Sequence, residues 1–368
     1  MVIQMNKKHF VFLLKTLIFF LVLGLLWQRI SLVVQVYGTD KEDPDRRTCL
    51  FFTLPKDTVD CLFIGTSHVY CSYIPQRMYD QMGITSASLA TSSQSYQNTY
   101  WLLKEALRQQ HPEVVVLDIH SVTTAADQRV LDFRLHATSG ISVMPDLSWN
   151  KINAFLDIRQ AKVGWSENMT IYDAFGLLEY KGEYQRKHRS LTELVTLCIQ
   201  PNREYQTFGF YPTTTVCPME ELIPYINTDR YMDFQTTQEY EYLERIYHLL
   251  QDQGIDLLLV RAPYHMPEFD DYHLTEQAFT WATEKNIPVI DYFLLLEETG
   301  IDLNTDFRDA DHLNYLGAVK ATDYLAEYLV QQYALKDHRG EKKYALWEEM
   351  EYDYARIEKE VRANVAEQ

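Results

Sequence analysis

The amino-acid sequence predicts a three-layer α/β/α protein, in which a parallel sheet carries helices on both faces, preceded by one membrane-spanning helix. Short, continuously apolar runs alternate along the chain with longer segments of helical periodicity. Strands that are buried on both faces of a parallel sheet have this uninterrupted apolar character. The length of 368 residues allows one large domain with an insertion. One run, residues 10–27, is far more apolar than any other.

This N-terminal run, FVFLLKTLIFFLVLGLLW, predicts a membrane anchor. As a helix it would span about 27 Å, which matches the hydrocarbon core of a bilayer. Its single charged residue, Lys15, can extend towards Lys7 and Lys8 at the near interface. No small-residue cleavage site and no early Cys follow the run, so we expect an uncleaved signal anchor in residues 1–36 rather than a buried core helix. We expect the body of the protein outside the cell membrane, because large domains translocate largely regardless of their charge.

The rest of the chain predicts one α/β domain behind a short linker. Residues 37–58 begin as a charged, Pro-containing stretch, which favours a linker, and the domain is expected over residues 59–335. Apolar runs predict strands at residues 59–64, 84–90, 113–119, 256–260 and 287–291. Helical periodicity predicts helices at residues 95–110, 237–253, 275–286 and 315–333.

Two segments do not follow this alternation. Residues 125–235 are rich in aromatic and polar residues, with short helical patterns at 149–159 and 188–199. We expect them to form an insertion that caps the C-terminal edge of the sheet, where ligands bind in open α/β folds. Residues 336–368 are strongly charged and predict a peripheral helix.

The composition excludes some classes of function. The formal net charge of −18 argues against nucleic acid or anionic lipid as the main partner, because both require positive potential. The five Cys residues show no metal-ligand spacing and are expected to be small core residues, so we expect no metal site. The 26 Tyr residues suit wide amphipathic clefts such as those that bind sugars.

Two motifs at opposite ends of the domain carry the candidate chemistry. The first, Gly65-Thr66-Ser67-His68, directly follows the first predicted strand, where a Ser hydroxyl is exposed and its own N–H can donate to an oxyanion. The second places His312 three residues after Asp309, just before the last predicted helix. His312 could take the proton of Ser67, and Asp309 could hold the other ring nitrogen. Two alternatives stay open, namely that Ser67 only caps a helix and that Asp311 replaces Asp309.

Other candidate residues follow the strand ends. Besides Ser67 itself, the backbone N–H groups of Ala90 or Thr91, where the second strand ends, are candidate oxyanion donors. Candidate substrate contacts, each near the C-terminal end of a strand, are His68, Gln94, His120, Arg261 and Tyr264. The alternatives are a structural role for His68 and a surface loop for Arg261 and Tyr264.

Together the motifs GTSH (65–68) and DADHLNYLGA (309–318) resemble those of the SGNH/GDSL hydrolase superfamily. More narrowly, they are similar to its membrane-anchored branch of DltD-type and alginate O-acetyltransferase accessory proteins. The resemblance covers roughly residues 59–125 and 237–335. It implies Ser67 as nucleophile, His312 as general base and Asp309 as its orienting partner. It also implies a membrane-bound O-acyltransferase as acyl donor, and no metal or nucleotide cofactor.

The sequence departs from the superfamily pattern in two places. The second block of the superfamily usually offers a Gly N–H, whereas the second strand here ends in Leu89-Ala90-Thr91. The third block usually supplies an Asn, whereas His120 and Ser121 follow the third strand here. These departures favour the anchored transferase branch. We therefore expect an extracytoplasmic serine acyltransferase or esterase that O-acetylates a cell-surface polysaccharide. The alternatives are an esterase that removes acyl groups from glycan or lipid, and a non-catalytic envelope assembly or binding protein.

Overall fold

The sheet of this protein has five parallel strands in the order β2-β1-β3-β4-β5, so the predicted α/β class with a parallel sheet is confirmed. The computed structural model describes residues 7–38, 45–124, 134–162, 164–187, 190–199, 207–217, 233–264, 272–350 and 352–368. The strands are β1 (Cys61–Gly65), β2 (Ser86–Ala90), β3 (Val114–Asp118), β4 (Asp256–Arg261) and β5 (Val289–Asp291). All five lie within or beside the apolar runs that predict them.

Helices make up most of the remaining described structure. In the first half of the chain they are α1 (Lys7–Gly38), α2 (Asp45–Thr48), α3 (Ser67–Ser72), α4 (Pro75–Met82), α5 (Tyr96–Ala106), α6 (Ser121–Thr124), α7 (Arg134–Ser142), α8 (Trp149–Ala161) and α9 (Ile171–Ala174). In the second half they are α10 (Gly176–Lys187), α11 (Leu191–Ile199), α12 (Gln238–Gln253), α13 (Tyr272–Glu284), α14 (Leu296–Thr299), α15 (Tyr315–Gln332), α16 (Ala345–Glu349) and α17 (Tyr354–Ala366). Short 3₁₀ turns cover Cys49–Thr53, Gly164–Asn168, Phe234–Thr236, Tyr292–Leu294 and Lys342–Tyr344.

Hydrophobic core lies on both faces of the sheet. In β1, Leu62 and Ile64 belong to one buried cluster, whereas Cys61 and Phe63 belong to another, as the alternation of side chains along a strand requires. Helices α5, α12 and α13 contribute to the first cluster, and helices α3, α4 and α15 contribute to the second. Strands β1 and β3 are therefore buried on both faces, which explains their apolar sequences CLFIG and VVVLD.

The strand order reverses at β1. From β1 the chain moves to β2 on one side and then crosses to β3 on the other side. In open α/β sheets, ligands bind beyond the carboxyl ends of the strands at such a switch point. Ser67 lies two residues after the end of β1, and His120 lies two residues after the end of β3.

The N-terminal helix is long and apolar enough to cross a membrane, and it reaches further into the protein than the sequence predicts. Its apolar first part is exposed, whereas residues 31–37 are almost entirely buried against the domain. The predicted linker also differs from the structure, because Cys49, Leu50 and Phe51 are core residues. The apolar stretch TCLFF (48–52), in the second half of the predicted linker, packs into the core of the domain. Residues 39–44 lie outside the described residues.

The described helices of the predicted insertion pack beside the sheet domain. Helices α7 and α8 contact α5, and helices α10 and α11 contact α1. Residues 207–217 run beside β2, where the Ser88 N–H donates to the Phe208 carbonyl at 2.7 Å, and then pass α3 and the loop before α15, where the Tyr211 N–H donates to the Tyr70 carbonyl at 2.7 Å and the Cys217 N–H donates to the Phe307 carbonyl at 2.9 Å. Of the insertion, residues 125–133, 163, 188–189, 200–206 and 218–232 lie outside the described residues.

The C-terminal region is more than the single peripheral helix predicted for residues 336–368. It forms a 3₁₀ turn and the two helices α16 and α17. Trp347 of α16 is fully buried, stacks on Phe208 with ring centroids 4.8 Å apart, and donates from Nε1 to the Ser86 carbonyl at 3.3 Å. The region therefore contributes to the core beside β2, which its high charge conceals in the sequence.

Candidate active site

Ser67, His312 and Asp309 form one continuous hydrogen-bonded series. His312 Nε2 lies 2.7 Å from Ser67 Oγ, and His312 Nδ1 lies 2.8 Å from Asp309 Oδ1. The Ser and His are 245 residues apart in sequence. The fold thus brings together the three residues that the two motifs single out.

The backbone at the end of β1 places Ser67. Gly65 has a φ of +153°, and a Cβ there would lie 2.6 Å from the Cβ of Asp118. Thr66, not Ser67, is the N-cap of α3, since its hydroxyl accepts from the His68 N–H at 3.4 Å. The alternative that Ser67 only caps the helix is therefore wrong. As the first helical residue, Ser67 has an N–H that precedes the intrahelical hydrogen bonds.

Asp118 is a residue of this region that sequence reasoning missed. It ends β3, is fully buried, and accepts from the Thr66 hydroxyl at 2.8 Å and from the His120 N–H at 3.3 Å. Burial raises the pKa of the Asp118 carboxyl, and the interactions with His120 and Thr66 partly oppose the rise. Asp118 joins the ends of β1 and β3 behind Ser67. The available signal was a single Asp at the end of an apolar strand.

A tight loop before α15 places His312. Phe307 and Leu313 form an antiparallel bridge across it, and the Arg308 N–H donates to the His312 carbonyl at 3.0 Å. Asn314 caps α15 by accepting from the N–H groups of Leu316 and Gly317. The loop therefore presents His312 on a closed turn held at both ends.

Asp309, rather than Asp311, orients the imidazole. Its Oδ1 accepts from the backbone N–H groups of Asp311 and His312, each at 2.9 Å, as well as from the ring. Its Oδ2 accepts from Arg308 Nε at 2.9 Å. Burial alone would raise the pKa of Asp309, but these hydrogen bonds and the neighbouring positive charge hold the pKa well below its ordinary value. Asp309 therefore stays ionised at neutral pH.

Arg308 is the second residue that sequence reasoning missed. Its guanidinium also lies 5.9 Å from the ring centroid of Tyr211, in the segment 207–217 that contacts α3. Its position directly before the Asp was the only signal in the sequence. Arg308 fixes the carboxylate from the side opposite the imidazole.

His68, His120 and Tyr264, three of the predicted substrate contacts, gather beside His312. The His68 ring centroid lies 3.9 Å from that of His120, 5.2 Å from that of His312 and 5.7 Å from that of Tyr264. Burial lowers the pKa of His68 well below its ordinary value, and His120, His312 and Arg308 lower it further, so His68 is neutral at neutral pH. Within the described structure, the buried Nδ1 atoms of His68 and His120 have no hydrogen-bond partner.

The structure places the other two predicted substrate contacts differently. Arg261 is buried and donates from Nε to Asp291 Oδ1 at 2.8 Å, because the guanidinium needs an ion-pair partner there. Gln94 is fully buried, accepts from the Thr91 hydroxyl at 2.7 Å and donates to Thr99 at 2.9 Å. Both side chains therefore bond to neighbouring residues of the fold instead of facing the cleft.

The predicted oxyanion donors also differ in their placement. The Thr91 N–H donates to the Gly65 carbonyl at 3.3 Å and so extends the pairing of β1 with β2. The Ala90 carbonyl accepts from the Thr48 hydroxyl at 2.7 Å, and a role for its N–H stays a prediction. Ser93, in the loop after β2, has a φ of +52°, the left-handed conformation that favours Gly.

The arrangement can activate a hydroxyl nucleophile and stabilise the imidazolium that forms. Across the described residues, no group of three or more His, Cys, Asp or Glu side chains is placed to hold a metal ion. No protein-family model matches this sequence, and no curated protein matches it either.

Proposed function

We propose that this protein is a membrane-anchored serine acyltransferase or esterase of the SGNH type, acting on cell-surface polysaccharide. The observation that carries the proposal is the Ser67–His312–Asp309 series, with 2.7 and 2.8 Å between its polar atoms. Distances of this size let a base remove the nucleophile's proton directly.

The proposed reaction has two halves. Ser67 Oγ transfers its proton to His312 Nε2 and attacks an acyl carbonyl, and the Ser67 N–H donates to the resulting oxyanion. The donor's leaving group takes the proton from His312, which yields an acyl-serine and neutral imidazole. His312 then removes the proton of a sugar hydroxyl, which attacks the acyl-serine. Collapse of the second intermediate returns that proton to Ser67.

The fold-level part of the proposal rests on where the motifs lie. A nucleophile directly after the first strand and a D-x-x-H motif directly before the last sheet-packing helix are typical of the three-layer SGNH arrangement. The lack of the usual Asn after β3, where His120 lies instead, supports the anchored transferase branch. Tyr211, whose ring centroid lies 5.9 Å from the Arg308 guanidinium, supports a partial cap at one side of the site.

The membrane part of the proposal rests on α1. Its exposed apolar stretch suits a single crossing with the domain outside the cell membrane. An extracytoplasmic transferase needs activated acyl groups delivered across the membrane. A membrane-bound O-acyltransferase is the partner that this requirement supports, and a glycan hydroxyl is the acceptor.

The test is acylation of Ser67 in the full chain, purified in detergent. The protein is exposed briefly to p-nitrophenyl acetate and its intact mass is measured, beside Ser67→Ala and His312→Ala. Ser190→Ala, which removes an exposed hydroxyl at the start of α11, is the matched control. We expect a mass increase of about 42 Da, one acetyl group, in the wild type and in Ser190→Ala only.

An adduct that persists in Ser67→Ala would contradict the proposal, as would the absence of any adduct in folded wild-type protein. Added oligosaccharide then separates the two reactions of the same site. In a transferase, the oligosaccharide speeds loss of the adduct and becomes acetylated. In an esterase, the adduct is lost to water at a rate that the oligosaccharide does not change.

A further inference from the structure

Two helices of the insertion carry apolar side chains on their outer surface. In α11, Leu191, Val195 and Ile199 are spaced by four residues and form one exposed stripe, with Leu191 77% and Ile199 71% exposed. A different side of the same helix, with Leu194 and Leu197, packs against the core. The apolar surface of α11 is therefore wider than the part that the protein covers.

Helix α8 also carries apolar side chains on its exposed side. Trp149, Ile152 and Leu156 lie on one side of the helix and are exposed, with Trp149 73% exposed. The opposite side is buried and includes Lys151, whose ammonium lies 2.7 Å from Asp146 Oδ1. Ala154 and Ile158 on the buried side belong to the core, so the apolar surface of α8 is also wider than the part that the protein covers. The two exposed stripes, with the adjoining Leu147, are called the apolar patch below.

The apolar patch adjoins α1 at the level where the apolar run 10–27 ends. The Leu147 N–H donates to Gln28 Oε1 at 3.1 Å, and a Cβ on Gly24 would lie 3.2 Å from the Leu147 side chain. On α11, the Cys198 carbonyl accepts from Arg29 Nε at 2.7 Å. Both helices are thus fixed to α1 between residues 24 and 29.

We propose that the apolar patch inserts into the interfacial region of the same bilayer that α1 spans. The inference rests on the membrane anchoring proposed above and not on the chemistry at Ser67. Gly24 lies three residues before Trp27, which is about 4.5 Å along a helix. The side chain of Leu147 packs at Gly24 and therefore lies nearer to the middle of the bilayer than Trp27 does. Trp is a residue type that prefers the membrane interface.

Lipid is the occupant that this geometry supports, because the patch is continuous with the surface of α1 that the bilayer covers. Leu147 extends the apolar surface of α1 sideways, and the exposed Trp149 follows it at the start of α8. Amphipathic helices that lie in the interface bury their apolar side in this way while their remaining surface stays in water.

The test measures where the patch lies in vesicles of phosphatidylcholine and phosphatidylglycerol. The full chain carries Cys198→Ser and Cys217→Ser, which remove the two partly exposed thiols, and one new Cys bearing an environment-sensitive fluorophore. The new Cys replaces Leu156 or Leu191. The matched control replaces Leu294, an equally apolar residue that is 72% exposed outside the patch. Flotation with the vesicles establishes anchoring, and a circular dichroism spectrum and melting temperature equal to those of the wild type establish the native fold.

We expect labels at 156 and 191 to be quenched by nitroxide-labelled lipid, and quenched by aqueous iodide about threefold less than the label at 294. A floated protein whose patch labels respond to iodide like the control would overturn this inference and leave the anchor intact. Labels shielded from both quenchers would also overturn it, because a protein surface would then cover the patch. Failure of flotation would instead contradict the anchoring itself.

Discussion

Asp309 accepts four hydrogen bonds, and this explains how a half-exposed carboxylate can hold the imidazole. Two donors are backbone N–H groups of its own loop, one is the ring of His312 and one is Arg308 Nε. Because both oxygens are engaged, rotation of the carboxylate would break several bonds at once. The imidazole is therefore fixed with Nε2 towards Ser67.

Replacement of Arg308 tests this arrangement, because Arg308 acts on the imidazole only through Asp309. We expect Arg308→Gln to slow acetylation of Ser67 about tenfold, the loss of roughly 1.4 kcal/mol of charged hydrogen bonding. Asp309→Asn should slow it by about 10⁴, because the imidazole loses its orienting charge. Arg308→Lys should restore part of the rate if the positive charge is what positions Asp309. Equal losses in Arg308→Gln and Asp309→Asn would contradict a positioning role.

Glu239 provides a pH-dependent test of stability. It is buried and accepts from the Tyr96 N–H at 2.7 Å, and burial raises its pKa from about 4.5 to about 8. In the folded protein the carboxyl is neutral below that pH, whereas in the unfolded chain it ionises above its ordinary pKa. The stability that Glu239 contributes is thus complete below about pH 4.5 and is lost as the pH rises through about 8.

We therefore expect the melting temperature of the wild type to fall between about pH 6 and pH 8.5 by more than that of Glu239→Gln, which keeps the acceptor but cannot ionise. Calorimetry at the two pH values measures this difference. Parallel curves for the two proteins would show that Glu239 keeps an ordinary pKa in the fold.

At the scale of elements, one buried carboxylate joins α1 to the helices of the insertion. Asp146 accepts from Trp27 Nε1 at 3.1 Å and from the Ser31 hydroxyl at 2.5 Å, both on α1. It also accepts from Lys151 Nζ of α8 and from the N–H of Gly176, where α10 begins. Three helices therefore meet at one buried ion pair.

Removal of this carboxylate should be costly. We expect Asp146→Ala to lower the free energy of unfolding by about 3–5 kcal/mol, because Lys151 would stay buried without its partner. Asp323→Ala, which breaks the partly exposed pair with Arg77, is the control and should cost at most about 1 kcal/mol. Urea unfolding in detergent measures both. Similar losses of unfolding free energy in the two variants would show that the buried Asp146 contributes no more to stability than the partly exposed Asp323.

The sequence predicts the strands and the meeting of Ser67, His312 and Asp309 better than it predicts the packing of helices. Strands such as β1 and β3 are short apolar runs, so the sequence of the strand itself indicates that it is buried. Parallel pairing then brings the carboxyl ends of the strands to one edge of the sheet. The docking of α10 on α1 is different. Gly176 approaches Gln35 closely there, and no periodicity in either helix encodes the other as its partner. The roles of Arg308 and Asp118 likewise depend on contacts that only the fold creates.

At the scale of the whole molecule, the feature with the widest consequence is the unbroken helix Lys7–Gly38. Its 32 residues extend about 48 Å, from the exposed apolar end to the core of the domain. An enzyme on a flexible tether samples a hemisphere above its membrane. With α1 in a bilayer, Ser67 would instead stay at one height above the membrane and move only sideways. Under the proposed function, acceptor chains would then be modified only where they cross that height, so the distance of a sugar from the membrane would select it as well as its chemistry.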